Sequence, residues 1–324
     1  FHQLLVILHE LRLPEPECTF FHQTLRQKKD GHYYRRDDAR FIQRFQCQHC
    51  LRKYSASTHS LECGQKKRRD NELVHELLAS GVSMRRAARI ARLHRTTIER
   101  KLKYLAEKAR LTQQQLLLKF KQSPVTHLQF DDLITIEHTK LKPLSVSLAV
   151  DASSRFILGT NVSSIGAFGH LAKLSRKKYG KRINNHAEKL DHLLKSITSL
   201  VHPEALVQSD EHYKYAPIVK KHFPHVLYQQ FKGGRGAIVG QGELKKLAFD
   251  PLFMLNHTCA MLRANVNRLI RKTWCTTKKL ECLQDHLDLY VAYHNTRLVS
   301  QQSKTKIEIE NEDVFGLKSK ESTT

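Results

Sequence analysis

HLQFDDLITIEH (residues 127–138), PLSVSLAVD (143–151) and RFILGTNVSS (155–164) follow one another with only short turns between them. Each is rich in β-branched and aromatic residues, and three such runs this close predict an antiparallel meander. Downstream the period changes. INNHAEKLDHLLKSITSLV (183–201) predicts a helix, ALVQS (205–209) a buried strand, YAPIVKKHF (215–223) a short helix and VLYQQF (226–231) another strand. The order β-β-β-α-β-α-β, followed by long helices, predicts an α/β layer with helices on both faces.

Upstream of Pro124 the reading is helical. DNELVHELLAS (70–80) is stopped by Gly81, SMRRAARIA (83–91) is opened by Ser83 as N-cap, and after a turn at Arg92, Leu93 and His94 comes RTTIERKLKYLAEKA (95–109). This is a helix-turn-helix pattern. Ala87, Ala88 and Ile90 are expected to pack the second helix, and Ile98, Leu102 and Leu105 the third. The opposite face presents Arg95, Thr96, Thr97, Arg100 and Lys101, side chains suited to base edges and phosphates in a major groove. TQQQLLLKFKQ (112–122) extends a connecting helix that Ser123-Pro124 ends.

At the front, Cys18 and His22, then Cys47 and Cys50, form C-x3-H and C-x2-C pairs with basic and aromatic residues between them. Close ligand pairs on two turns let a tetrahedral Zn²⁺ hold a small, core-poor unit together, so residues 1–66 read as a zinc ribbon; His49, His59 or Cys63 could replace His22. Residues 67–122 then form the helix-turn-helix domain with its connecting helix, 123–298 the α/β domain, and 299–324 a polar, disordered tail.

Composition narrows the partner. The 324 residues hold 55 Lys and Arg against 31 Asp and Glu, a formal charge of +24, which excludes a typical enzyme of small neutral metabolites and points to an acidic polymer. The opening FHQLLVILHELRL is too short for a membrane span and carries His and Glu, so neither span nor signal peptide is expected. The chain opens on Phe1, and its true start is expected upstream. Seven cysteines without tidy pairing suit a reduced compartment, and the expected location is cytoplasmic, with the nucleoid.

Two carboxylates carry the chemistry. Asp131 lies mid-strand in QFDDL, and Asp210 closes the strand ALVQS at its carboxyl end. Open α/β sheets bind ligands beyond the carboxyl ends of strands, so adjacent first and fourth strands would bring the two acids together. Carboxylates that close repel unless divalent cations neutralise them, and Mg²⁺ suits the pair because it takes oxygen ligands and can be bridged by a phosphate. The plainer readings are an N-cap for Asp210 and a salt-bridged strand residue for Asp131. LSRKKYGKR (174–182) fits contact with backbone phosphates, KGGRGAIVGQG (232–242) reads as a mobile basic loop, and Trp274 is expected to cap the core, with stacking on a displaced base as the alternative. The last helix, TKKLECLQDHLDLYVAYHNTR, packs through Leu280, Leu283, Leu287 and Tyr290.

Zinc ribbon and helix-turn-helix, followed by FDD (130–132), VQSDEHYKY (207–215) and NHTCAMLRANVNRLIRKTWCTTK (256–278), resemble insertion-sequence transposases with a DDE-type, RNase H-like core. The resemblance covers about residues 18–298. It implies an RNase H-like fold, recognition of terminal inverted repeats in double-stranded DNA, a homodimer or higher oligomer, and DNA cleavage and strand transfer with Mg²⁺ or Mn²⁺. Asp131 and Asp210 match the first two carboxylates. Alignment on Leu262, Arg263, Arg268, Leu269, Arg271 and Lys272 places Asn256 where the family has its third acid, a neutral oxygen in place of an anion. Glu243 in GQGELKKL is its rival, with Asp132 and Glu137 as further candidates, and Arg263 is expected on a phosphate. The same features fit a decayed or domesticated DNA-binding protein, or an RNase H-like nuclease.

Overall fold

The computed structural model describes residues 27–58, 60–232, 250–270 and 274–299, and the chain divides into two compact units, residues 1–75 and 76–324. The first unit carries an antiparallel sheet of β1 (Gln27–Arg35), β2 (Arg40–Cys47) and β3 (Lys53–Ser55) in that order. Only Cys47 is buried within its strands, so the sheet has almost no apolar core. Local pairs stand in: Phe45 stacks on Tyr54 with ring centroids 5.4 Å apart, and the Arg68 guanidinium meets Asp37 at 2.8 Å.

The helical segment follows the sequence closely. α1 (Asn71–Ala79), α2 (Met84–Ile90) and α3 (Arg95–Leu117) succeed one another, with Ser83 capping α2 through the Arg86 amide at 3.4 Å and His94 capping α3. Ala87 and Ala88 are buried as expected, whereas Ile90 is 55% exposed. The sequence predicts domain boundaries at 66/67 and 122/123, yet the units separate at 75/76. The reason is α3, which is 23 residues long and packs along α8 (Leu280–Tyr293), with Arg110 reaching Asp288 at 2.7 Å and pairing with Asp285. The end of α1, α2, α3 and the α/β layer are therefore one unit.

The layer is mixed. β4 (Val125–Ile136), β5 (Pro143–Asp151) and β6 (Phe156–Ser164) form the expected meander, and β7 (Val201–Asp210) and β8 (Leu227–Phe231) add parallel to β4, giving the order β6-β5-β4-β7-β8. All nine residues of β5 are buried. On one face Leu128 and Phe130 pack with Leu190, Leu193 and Leu194 of α5 (His186–Ile197) and Tyr215 and Val219 of α6 (Tyr215–His222). Strand alternation turns Gln129 to the other face, where its Oε1 accepts from the Leu255 amide of α7 (Phe253–Asn265) at 3.2 Å. Helices cover both faces, as predicted.

Two local features add to the sequence reading and one expectation is corrected. The basic run near 174–182 contains a helix, α4 (Leu171–Tyr179), held to the body by Ser175 Oγ donating to the Leu141 carbonyl at 2.7 Å. α7 stops at Asn265, although the apolar positions Leu255, Cys259, Leu262, Val266 and Leu269 are buried on both sides of that stop. Trp274 is 78% exposed and caps no core. Among the described residues no helix is long and apolar enough to cross a membrane.

Candidate functional site

The parallel pairing of β4 with β7 sets Gln129 opposite Gln208, and two residues further along both strands come Asp131 and Asp210, on the same face. β7 ends at Asp210 while β4 continues, paired with β5, to Ile136. The step leaves an open cleft of about 560 Å³ lined by both acids. It lies beyond the carboxyl end of β7, where a sheet of this kind binds ligands.

Neither acid is committed to an ordinary structural role. Asp131 forms no ion pair among the described residues; its Oδ1 accepts from the Asp132 amide at 2.6 Å and, more weakly, from Tyr215 Oη at 3.4 Å. Asp210 caps no helix, since α6 begins after Lys214 without a side-chain cap. Its Oδ1 is buried and accepts no hydrogen bond among the described residues. Burial, reinforced by the negative charge of Asp210, pushes the Asp131 carboxyl up to about 7. Asp210 is also raised, by burial first, with the charge of Asp132 adding to it and His212 opposing. A buried carboxylate oxygen with no donor among the described residues, beside a second carboxyl whose anion burial disfavours, fits a hard divalent cation, which would repay both costs at once.

Asp132, adjacent in sequence, is occupied. Ser147 Oγ donates to its Oδ1 at 2.6 Å, Tyr215 Oη to its Oδ2 at 2.6 Å, and His186 Nε2 closes on the same oxygen. Burial alone would raise this carboxyl, but the bonds from His186, Ser147 and Tyr215 outweigh it and the pKa is lowered. Asp132 thus stays an anion held by the fold, and Asp131 and Asp210 keep the open coordination. His212 also lines the cleft; its Nδ1 accepts from the Lys214 amide at 3.3 Å, which leaves Nε2 as the protonated nitrogen. Sequence reading passed over His186, Tyr215, Ser147 and His212. Only His212, two residues after Asp210, carried a local signal.

The other expected residues are dispersed. Asn256 lies on the exposed side of α7, its amide donating to Asp250 Oδ2 at 3.0 Å, and does not line the cleft. Arg263 is partly buried two turns further along, next to Cys259, whose thiol burial pushes up to about 12. Glu243, Cys18 and His22 lie outside the described residues, as do most of the 232–242 loop, Arg271, Lys272 and the tail. Cys47 and Cys50 share a tight turn closed by the Leu51 amide on the Cys47 carbonyl at 2.9 Å, with Leu51 at φ 58°. Arg95, Thr96 and Arg100 are exposed and Thr97 half-buried at the start of α3. Lys101 is not on that face: it is 1% exposed, because it falls three residues after Ile98 and four before Leu105, on the packed stripe.

Set beside known proteins, the chain matches no family model and no curated protein. The cleft's own chemistry therefore decides the reading.

Proposed function

We propose that this protein is a DDE-type transposase that binds the terminal inverted repeats of a DNA element and catalyses metal-dependent cleavage and strand transfer. One observation carries the proposal: Asp131 and Asp210 lie two residues beyond the paired Gln129 and Gln208 on adjacent parallel strands, line one cleft, and include a buried carboxylate oxygen with no donor among the described residues. The sheet order, a three-stranded meander with two parallel strands added beside its first strand, supports an RNase H-like core. The charge of +24 and the exposed Arg95, Thr96 and Arg100 at the start of α3 support DNA as partner.

Asp131 and Asp210 would hold Mg²⁺ or Mn²⁺, and the bound ions supply activation of the attacking oxygen and stabilisation of the leaving one. The chain's own part is positional. Asp132, fixed by donors from β5, α5 and α6, locks the backbone beside Asp131 and so aims its carboxylate into the cleft. The family resemblance alone points to Asn256 for the third oxygen, with Glu243 as rival; Asn256 stands outside the cleft lining, its side chain turned to Asp250. A neutral Asn256 favours one alternative, a DNA-binding protein that has lost cutting. Cys18, His22, Cys47 and Cys50 are proposed to hold a structural Zn²⁺.

Purified protein with Mg²⁺ or Mn²⁺ and DNA carrying the element's ends is expected to nick and join, and Asp131→Asn and Asp210→Ala each to abolish both steps. Mn²⁺ binding followed by calorimetry is expected to vanish with Asp210→Ala. Equal residual cleavage in wild type and variants removes the enzyme reading. Asn256→Glu raising the rate would seat the third ligand there, and loss of activity in Glu243→Gln would move it.

A further inference from the structure

The cleft has a second chemistry that the acids do not use. Two large aromatic side chains line it and are left open to solvent, Phe168 at 69% and Tyr213 at 80%. Each ring offers a large flat apolar face, and two such faces open in one cleft beside the acids suit a flat ligand. Their supports differ. Phe168 sits after β6 in a turn closed by Gly169, whose φ of 59° suits glycine. Tyr213 follows Asp210 by three residues and is backed by His212, ring centroids 4.9 Å apart and nearly parallel, with Lys214 Nζ 5.5 Å from its ring. His212, itself fixed by the Lys214 amide, makes a rigid second layer behind the outer ring.

Stacked rings with a cation alongside and carboxylates a few residues away match a nucleobase next to a phosphate. A base within a duplex has both faces covered by its neighbours, so only an unpaired base can use such a platform. We infer that the cleft seats an unpaired strand end of DNA, its bases stacked on Phe168 and Tyr213 beside the phosphate held at Asp131 and Asp210. This rests on the phosphoryl-transfer reading above and adds to it the form of the substrate: the strand must be frayed before it is cut or joined. Discrimination among bases is expected to be weak, because every base offers a π face.

The test is fluorescence anisotropy with the full chain, Ca²⁺ in place of Mg²⁺ to hold back cleavage, and labelled oligonucleotides of mixed sequence as single-stranded DNA, blunt duplex and RNA. Phe168→Ala and Tyr213→Ala are each expected to weaken single-strand binding about ten-fold and to leave duplex binding unchanged. Tyr213→Trp is expected to restore it. Both side chains are exposed, so neither truncation removes core packing. Single-strand binding that is unaltered in both alanine variants, or tighter binding of RNA than of DNA, overturns the inference. Binding is read without turnover, so a silent cleavage assay leaves this comparison standing, and unaltered variants leave the cleavage reading standing.

Discussion

His286 shows how one side chain in α8 sets a pH limit on the fold. It is fully buried, its Nε2 lies 2.9 Å from the Leu78 carbonyl, and its Nδ1 has no partner among the described residues, so the ring is neutral and burial holds its pKa down to about 4. The unfolded chain takes up that proton near pH 6.5, whereas the folded protein refuses it until about 4. Between those values the unfolded state binds more protons, so stability rises with pH through the window and falls on acidification, by about 3 kcal/mol for this group. Denaturant midpoints between pH 7 and 4 are expected to show one proton less of pH dependence in His286→Leu; an unchanged slope would refute the assignment. At this scale the sequence was only partly legible. FDD named two adjacent acids, but which is clamped and which is open depends on donors from residues 147, 186 and 215, and no spacing rule joins those positions.

Among elements, the packing faces were legible wherever the apolar period was clean. Ser83 and the stripe Ile98, Leu102 and Leu105 behave as read, His94 in the expected turn also caps α3, and the meander of β4 to β6 follows its β-branched runs. Lys101 carries a charge that points to exposure, yet its position on α3 belongs to the packed side. α4 is hidden for the opposite reason: its cations conceal a helix that buries only Ser175. Gly81 carries information that the pattern of stops did not. Its φ is 74°, and a Cβ there would meet the Ala264 carbonyl oxygen at 2.9 Å, with the Asn267 amide already bonded to the Gly81 carbonyl at 3.2 Å. The turn between α1 and α2 thus closes directly on the end of α7. Gly81→Ala combines left-handed strain with a backbone clash and is expected to lower stability by roughly 2 kcal/mol or more, seen as a lower thermal midpoint. An unshifted midpoint would mean that the contact is dispensable.

For the whole molecule, element order was enough to predict an α/β layer, while the division of the chain was not legible. Local pattern cannot reveal that a helix read as a linker lies along a helix 160 or more residues later, as Arg110 with Asp285 and Asp288 requires. The first unit has so little core that its stability is expected to depend on zinc. Mass spectrometry under native conditions should find one Zn²⁺ per chain, absent in Cys47→Ser, and a chelator should abolish one unfolding transition and spare that of residues 76–324. A chelator-insensitive, metal-free first unit would overturn the ribbon. The continuity of α3 has one more consequence on the proposed reading. A rod of about 34 Å, with recognition side chains on its first turns and the rest packed into the unit that holds the cleft, works as a ruler. The number of base pairs between the sequence gripped and the phosphate attacked would then be a constant of the protein, written in the length of a single helix.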